Sequence, residues 1–222
     1  MFENPPAPLV YQLRVSLQGV SPMVWRRLVV RSDSTIADLH HMLQIAFGWS
    51  DDHLHCFRIH GKDYGIPHVG GMGFDDDATT VRLTHFRLRV RERFVYEYNF
   101  SAPWVHEIRV EQLLPLNPSG RYPLCTGGAR AAPPESCGGP WAYLQLLDHH
   151  TSHFPYEALE IVATALDNFL RSGEEHALGD RDELQEAFLE LQAYQQFNPD
   201  AFARQRINAQ LRTLHPQEGT CS

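Results

Sequence analysis

Between Tyr11 and Leu17 apolar and polar side chains alternate without a break, the period of a strand buried on one face. Gly19-Val20-Ser21-Pro22 carries turn residues, and Val24 through Val30 predicts a second strand. The period then changes. Ile36, Leu39, Leu43, Ala46 and Phe47 fall on one helical face, Thr35 and Asp38 stand at capping-box spacing, and Gly48 is placed to end the helix. The chain thus opens strand-strand-helix, a start shared by several α+β folds.

His53 to Ile59 predicts a third strand, with His53, His55, Phe57 and Ile59 on one face and Cys56 on the other. Gly61 to Asp77 is glycine-rich and acidic, a loop with a hairpin at most. Phe94 to Phe100 and Trp104 to Glu111 both alternate, and Ser101-Ala102-Pro103 between them is short enough for a hairpin connection. In the second of these Trp104, His106, Ile108 and Val110 share a face, opposite Glu107, Arg109 and Glu111. Asn117 to Pro140 holds five prolines and five glycines and no period, so it reads as a long loop.

From Trp141 the pattern is helical. One helix is predicted around Ala158 to Leu166, a second by Leu184, Phe188, Leu191 and Tyr194, and a last by Phe202, Ile207, Leu211 and Leu214. The last is entered through Asn198-Pro199-Asp200. Strands first and helices after argue for an α+β fold, with a mixed or antiparallel sheet packed by C-terminal helices, over a doubly wound sheet. The expected organisation is an N-terminal extension over 1–10, one domain over 11–215 and a tail over 216–222. Within the domain, 11–116 is sheet-rich, 117–140 is the Pro/Gly/Cys loop and 141–215 is helical.

Composition narrows the function classes. A formal charge of -8 disfavours a general nucleic-acid binder, whose affinity comes from Lys and Arg on phosphates. The run Arg82, Arg87, Arg89, Arg91 and Arg93 reads either as a local basic patch or as a solvated face. Met1 to Pro6 lacks the basic and apolar regions of a signal peptide, and no apolar run approaches the roughly 20 residues that span a bilayer. The expectation is a cytoplasmic protein with no membrane association. Cys56, Cys125, Cys137 and Cys221 are unevenly spaced and read as reduced thiols.

Candidate chemistry lies in four separate segments. They are Gly48-Trp49 with His53-Leu54-His55, Tyr96 to Phe100, Trp104-Val105-His106-Glu107, and Pro133 to Gly139 with Cys125 before it. His53 and His55 in a strand place their Cβ atoms about 6.5–7 Å apart on one side. They suit a shared metal, a possible zinc, with His106 or Cys137 completing the shell and Glu135 as an acid/base. The same histidines also read as core imidazoles, because His-x-His alone is a weak zinc signal. Cys125 and Cys137 are too far apart for a zinc knuckle. Trp49 and Trp104, with Glu135, are the candidate ligand-binding residues, although Trp25, Trp49, Trp104 and Trp141 read most simply as core or loop anchors. There is no Ser-His-Asp order, no phosphate-cradling glycine motif and no His-Glu-x-x-His.

In this order the motifs resemble the plasmid Ri ORF-three family, also called the insertion-element passenger or TnpR family. The resemblance starts in Leu13 to Val30 with Trp25-Arg26-Arg27 and runs through Leu39-His40, Gly48-Trp49, His53 to Phe57, Tyr96 to Phe100 and Trp104 to Glu107. Tyr122-Pro123-Leu124-Cys125, Pro133 to Gly139, Phe197 to Asp200 and Ile207-Asn208 extend it over nearly the whole chain. It implies an α+β domain of the ORF-three-like, MM type, carried on plasmids, transposable elements and chromosomes, with no settled activity. The TnpR name suggests a resolvase, yet the serine nucleophile, arginine cluster and basic DNA-binding module of one are not found here.

Two departures stand out. The family's Asp-Phe-Gly-Asp is Asn99-Phe100-Ser101-Ala102 here, and its Pro-Pro-Glu-Asp-Cys has Ser136 in place of the second acid. A family site built on those three carboxylates would be altered in this chain. The leading expectation is a non-catalytic binding or accessory module with a protein or small-ligand partner. The alternatives are a metal-dependent hydrolase and an accessory DNA-binding protein in transposition, the latter opposed by the acidic charge.

Overall fold

The computed structural model describes residues 9–66, 73–74 and 76–214. The chain divides into two compact units, Met1–Leu144 with Asp200–Ser222, and Gln145–Pro199. The sequence reads one domain over 11–215; the contacts within the fold gather into these two units, taken in turn.

The first unit is built on a seven-stranded sheet: β1 (Leu9–Leu17), β2 (Trp25–Arg31), β3 (His55–Ile59), β4 (Lys62–Tyr64), β5 (Arg93–Tyr98), β6 (Trp104–Pro115) and β7 (Leu124–Ala129). Their order is β4-β3-β5-β6-β1-β2-β7, and every pair is antiparallel. The alternation seen in the sequence becomes a two-faced sheet. On one face, Leu13 opposes Leu28 and Val110, Val15 opposes Ile108, and Phe57 opposes Tyr96, all fully buried. On the other, Glu111 receives hydrogen bonds from Arg27 Nε (2.5 Å) and Gln12 Nε2 (2.9 Å).

Helix α1 (Ile36–Phe47) covers the apolar face. Its predicted ends are both present. Thr35 Oγ1 accepts from the Asp38 N–H, Asp38 answers at the Thr35 N–H, and Gly48 closes the helix with φ of 72°. The buried Arg26 side chain adds a second stop. Its Nε donates to the Ala46 carbonyl (2.9 Å) and its Nη1 to the carbonyls of Trp25 and Ala129. A cation at the helix C-terminus suits the dipole.

The loop expected over 117–140 is partly a strand. β7 forms the sheet edge inside it, and its glycines hid the alternation: a Cβ on Gly128 would meet the Phe202 ring at 2.5 Å and the Trp25 carbonyl at 2.8 Å. That edge is closed from outside. α5 (Arg204–Leu214) lies against β7 and α1, and Asn208 accepts from the Cys125 N–H (2.7 Å) and donates to its carbonyl (2.9 Å). The Arg82–Arg93 run is mostly irregular, and only Arg93, the first residue of β5, lies in a strand. It holds a 3-10 turn at Leu83–Phe86 with Arg87 and Arg91 at positive φ, and Arg93 pairs with Glu107.

α2 (Gly139–Ser152) crosses the boundary between the units at residues 144 and 145. The second unit is helical, with α3 (Tyr156–Ser172) packed on α4 (Arg181–Gln196). Its buried side chains are Ala158, Ala165 and Ala187. His150 stacks on Tyr194 with ring centroids 4.1 Å apart, and His149 on His153. Among the described residues no helix is long and apolar enough to cross a membrane. The cysteines 56, 125 and 137 are free thiols, and Cys221 lies outside the described residues.

Candidate functional site

The sequence-predicted residues converge around the turn that follows α1, but mostly as fasteners. Trp49 Nε1–H donates to the Pro133 carbonyl (3.0 Å) and Trp104 Nε1–H to the Glu135 carbonyl (3.1 Å). The Glu135 carboxylate then accepts from the Ser50 N–H (2.7 Å), the Asp52 N–H (3.4 Å) and the Tyr98 hydroxyl. Burial raises the Glu135 pKa, but hydrogen bonds from Tyr98 and the two amides outweigh it and hold the carboxyl below its ordinary value. Tyr98 is pushed up by burial and by the Glu135 charge. Pro133 to Glu135 is therefore a latch, pinned to the sheet by two indoles and a phenol.

Trp49 and Trp104 are buried, and Trp49 stacks on Tyr98 at 5.3 Å. Trp141 differs from its expected role as an anchor and is 71% exposed. The missing carboxylates leave the fold intact. Asn99 sits in the left-handed region (φ 62°), which Asn tolerates, and its Oδ1 accepts from the Ala102 N–H at 3.3 Å, as an aspartate would. Gly138 and Gly139 both have positive φ, which explains why the segment leading into α2 is glycine.

The four predicted metal ligands do not form a ligand group among the described residues. His106 is fully buried against Phe47, Trp49 and Tyr96, and burial lowers its pKa to about 3, so it is neutral. His53 precedes β3, with its ring edge-on to Tyr98 at 5.7 Å and its N–H donating to the Tyr98 hydroxyl. Cys137 donates its N–H to the Pro134 carbonyl, and burial raises its thiol pKa. Burial likewise pushes Cys56 up to about 11. These thiols stay protonated at neutral pH, which makes them poor nucleophiles.

His55 is the predicted residue that does reach a polar cluster. Its ring stacks on His40 with centroids 3.6 Å apart, and its Nε2 accepts from the Ile66 N–H (3.3 Å). His40 is buried between two partners, with Nδ1 at 2.8 Å from the Tyr96 hydroxyl and Nε2 at 2.7 Å from Asp51 Oδ1. Gln44 Nε2 donates to the same Tyr96 hydroxyl (2.9 Å), and His41 Nδ1 lies 3.8 Å from Asp51 Oδ2. Sequence reasoning passed over His40, His41, Gln44 and Asp51 as site residues. The signal was there: His40 stands one turn after Ile36 and three residues before Leu43, on the apolar stripe of α1.

Comparison with known proteins matches residues 9–169 to the plasmid pRiA4b ORF-3-like protein family. The chain is similar to the uncharacterised protein y4hQ of Sinorhizobium fredii (strain NBRC 101917 / NGR234), 33% identical over 141 residues that make up 63% of this chain and 72% of that protein. Its fold is similar to the crystal structure of MM3350, a protein of unknown function from Methanosarcina mazei Go1. There the TM-score is 0.65 at 27% identity, over 90% of this chain and 97% of that one. Sheet, latch and motif order thus meet in one assignment: the chain belongs to the plasmid pRiA4b ORF-3-like protein family.

Proposed function

We propose that the protein is a non-catalytic binding module whose helical unit takes a basic, amphipathic segment of a partner protein. The observation that carries this is a mainly apolar groove of about 380 Å³ on the α3–α4 pair, lined by Val162, Ala165, Leu166, Leu178, Leu184 and Phe188, with Arg181 and Gln185 completing the lining. Leu166 and Phe188 are 53% and 51% exposed, an apolar surface that a helix of this kind normally covers. Glu157, Glu160, Asp180 and Glu183 line an adjoining hollow that shares Ala165 and Leu178 with it. Charge selects the partner. Residues 145–199 carry eleven acidic against two basic side chains, while the rest of the chain carries 16 acidic against 17 basic. A helix with Leu on one face and Lys on its flanks fits both the groove and its rim.

The motif residues support the non-catalytic half of this reading. In the hydrolase reading Glu135 is the acid/base, but its carboxylate already serves three donors. Association with plasmids or transposable elements is part of the proposal, with the module as an accessory rather than a recombinase.

The test is fluorescence anisotropy with a labelled Leu/Lys amphipathic peptide and a Leu/Glu peptide of the same apolar pattern. The Leu/Lys peptide should bind, more weakly as salt rises, and the Leu/Glu peptide should not. Leu166→Glu and Phe188→Asp should each weaken binding at least about tenfold. Binding that ignores these two substitutions would sink the proposal.

A further inference from the structure

We propose that His40, His41 and Asp51 form a site for one divalent transition-metal ion of the zinc class. One potential ligand atom from each residue lies within 4.8 Å of the others. Two imidazole nitrogens and a carboxylate oxygen suit zinc, cobalt or nickel rather than magnesium or calcium, which prefer oxygen ligands. Ligand atoms about 2.0–2.2 Å from one ion lie roughly 3–3.5 Å apart. His40 Nε2 lies 2.7 Å from Asp51 Oδ1 and His41 Nδ1 lies 3.8 Å from Asp51 Oδ2, so the two imidazoles face the two oxygens of one carboxylate and small side-chain rotations bring them to that spacing.

The groups behind His40 give the second observation. A histidine that binds metal donates its other ring N–H to an acceptor behind it. His40 Nδ1 has such a neighbour in the Tyr96 hydroxyl, which meets the Gln44 amide in turn. Gln44 Oε1 is buried with no hydrogen-bond partner among the described residues, which is costly. With the Gln44 amide turned over, Tyr96 donates to Gln44 Oε1 and accepts from His40 Nδ1–H, while Gln44 Nε2 takes the unpartnered position. With an ion bound, the ring carries its one proton on Nδ1 and the Nε2 lone pair goes to the ion between it and Asp51.

Access fits as well. His40 is fully buried, whereas the side chains of His41 and Asp51 are 45% and 33% exposed, so an ion can enter from solvent and waters can complete its shell. Asp51 holds a left-handed φ of 65°, a conformation Asp tolerates better than most residues. An ion there would fasten α1 to the segment that leads into β3. This site is independent of the helical groove and stands or falls separately from it.

The experiment uses the full, untagged chain stripped with a chelator. Zinc is titrated by calorimetry and cobalt by its visible absorption. The expected result is one ion per chain, with a cobalt spectrum free of thiolate charge-transfer bands. His41→Ala and Asp51→Asn should weaken binding at least about tenfold, and Tyr96→Phe by about 10–100-fold at unchanged stoichiometry. His53→Ala and Cys137→Ala should leave it unchanged. Circular dichroism reads whether each variant is folded. Failure of the wild type to bind, survival of the affinity in folded His41→Ala and Asp51→Asn, or a thiolate band would each overturn the site. Unchanged affinity in Tyr96→Phe would overturn the role given to the Gln44–Tyr96 pair.

Discussion

The two units of this chain treat their side chains in opposite ways. In the sheet unit Trp104, Tyr96, Tyr98 and Phe57 are fully buried, the motif residue His106 is buried among them, and the half-buried Glu135 accepts from Tyr98. In the helical unit the buried side chains are three alanines, while Leu166, Leu170, Phe188 and Leu189 are more than half exposed. Each aromatic ring buries about 150–250 Å² and an alanine methyl far less, so nearly all the apolar stabilisation lies in the sheet. The lesson concerns where to look for function. In one unit the chemically versatile residues hold the fold; in the other, large apolar residues are left exposed.

The largest expected effect would come from Trp104→Ala. It removes a fully buried indole and the hydrogen bond to the Glu135 carbonyl, and should cost about 3–5 kcal/mol. Urea unfolding followed by fluorescence should show that loss. Equal losses from Leu170→Ala, which is 72% exposed, would break the comparison.

A pH series comes next. Burial lowers the His106 pKa from its ordinary 6.5 to about 3, so the unfolded chain binds the extra proton between those values. Its contribution is complete above pH 6.5 and is lost as pH falls toward 3, by about 1.4 kcal/mol per pH unit. Glu135 adds a second loss at lower pH. Its folded pKa is depressed, so its contribution is present above the ordinary 4.5 and disappears as pH falls through the folded value. Stability measured by denaturation at successive pH values should show both, and His106→Phe should remove the first.

Asn208→Ala should cost about 1–3 kcal/mol, because both backbone groups of Cys125 lose their partner. Hydrogen exchange should then rise in β7 before it rises in β1. The smallest effect is expected at the groove: Leu166→Glu should change stability by no more than about 0.5 kcal/mol while weakening peptide binding at least about tenfold. A larger loss would show that Leu166 supports the fold rather than a partner.

Much of the sheet was legible in the sequence because alternation is a local signal. Tyr11 to Leu17, Phe94 to Phe100 and Trp104 to Glu111 became β1, β5 and β6 with the predicted faces, and Thr35, Asp38 and Gly48 bound α1 as read. β7 was not legible, since Gly127 and Gly128 have no side chains to alternate and the strand is fixed by Trp25, Phe202 and Asn208, all far away in sequence. The site was legible only in part. The motifs mark the latch at Glu135, but motif spacing cannot say whether a carboxylate faces a substrate or three hydrogen-bond donors. The His-x-His pair, His53 and His55, drew attention from His40, which reaches Asp51 only through the turn of the chain at Gly48.

The clamp of Asn208 on Cys125 also has an entropic side. Residues 145–199 run between two fixed points, since Tyr143 is packed on Trp104 just before them and α5 is tied to β7 just after. They form, in effect, a loop of 55 residues between anchored ends. Closing such a loop costs free energy that grows only with the logarithm of its length, about 0.6 kcal/mol for each doubling. Halving or doubling this segment would therefore leave the sheet almost untouched. The family match ends at residue 169, inside that loop.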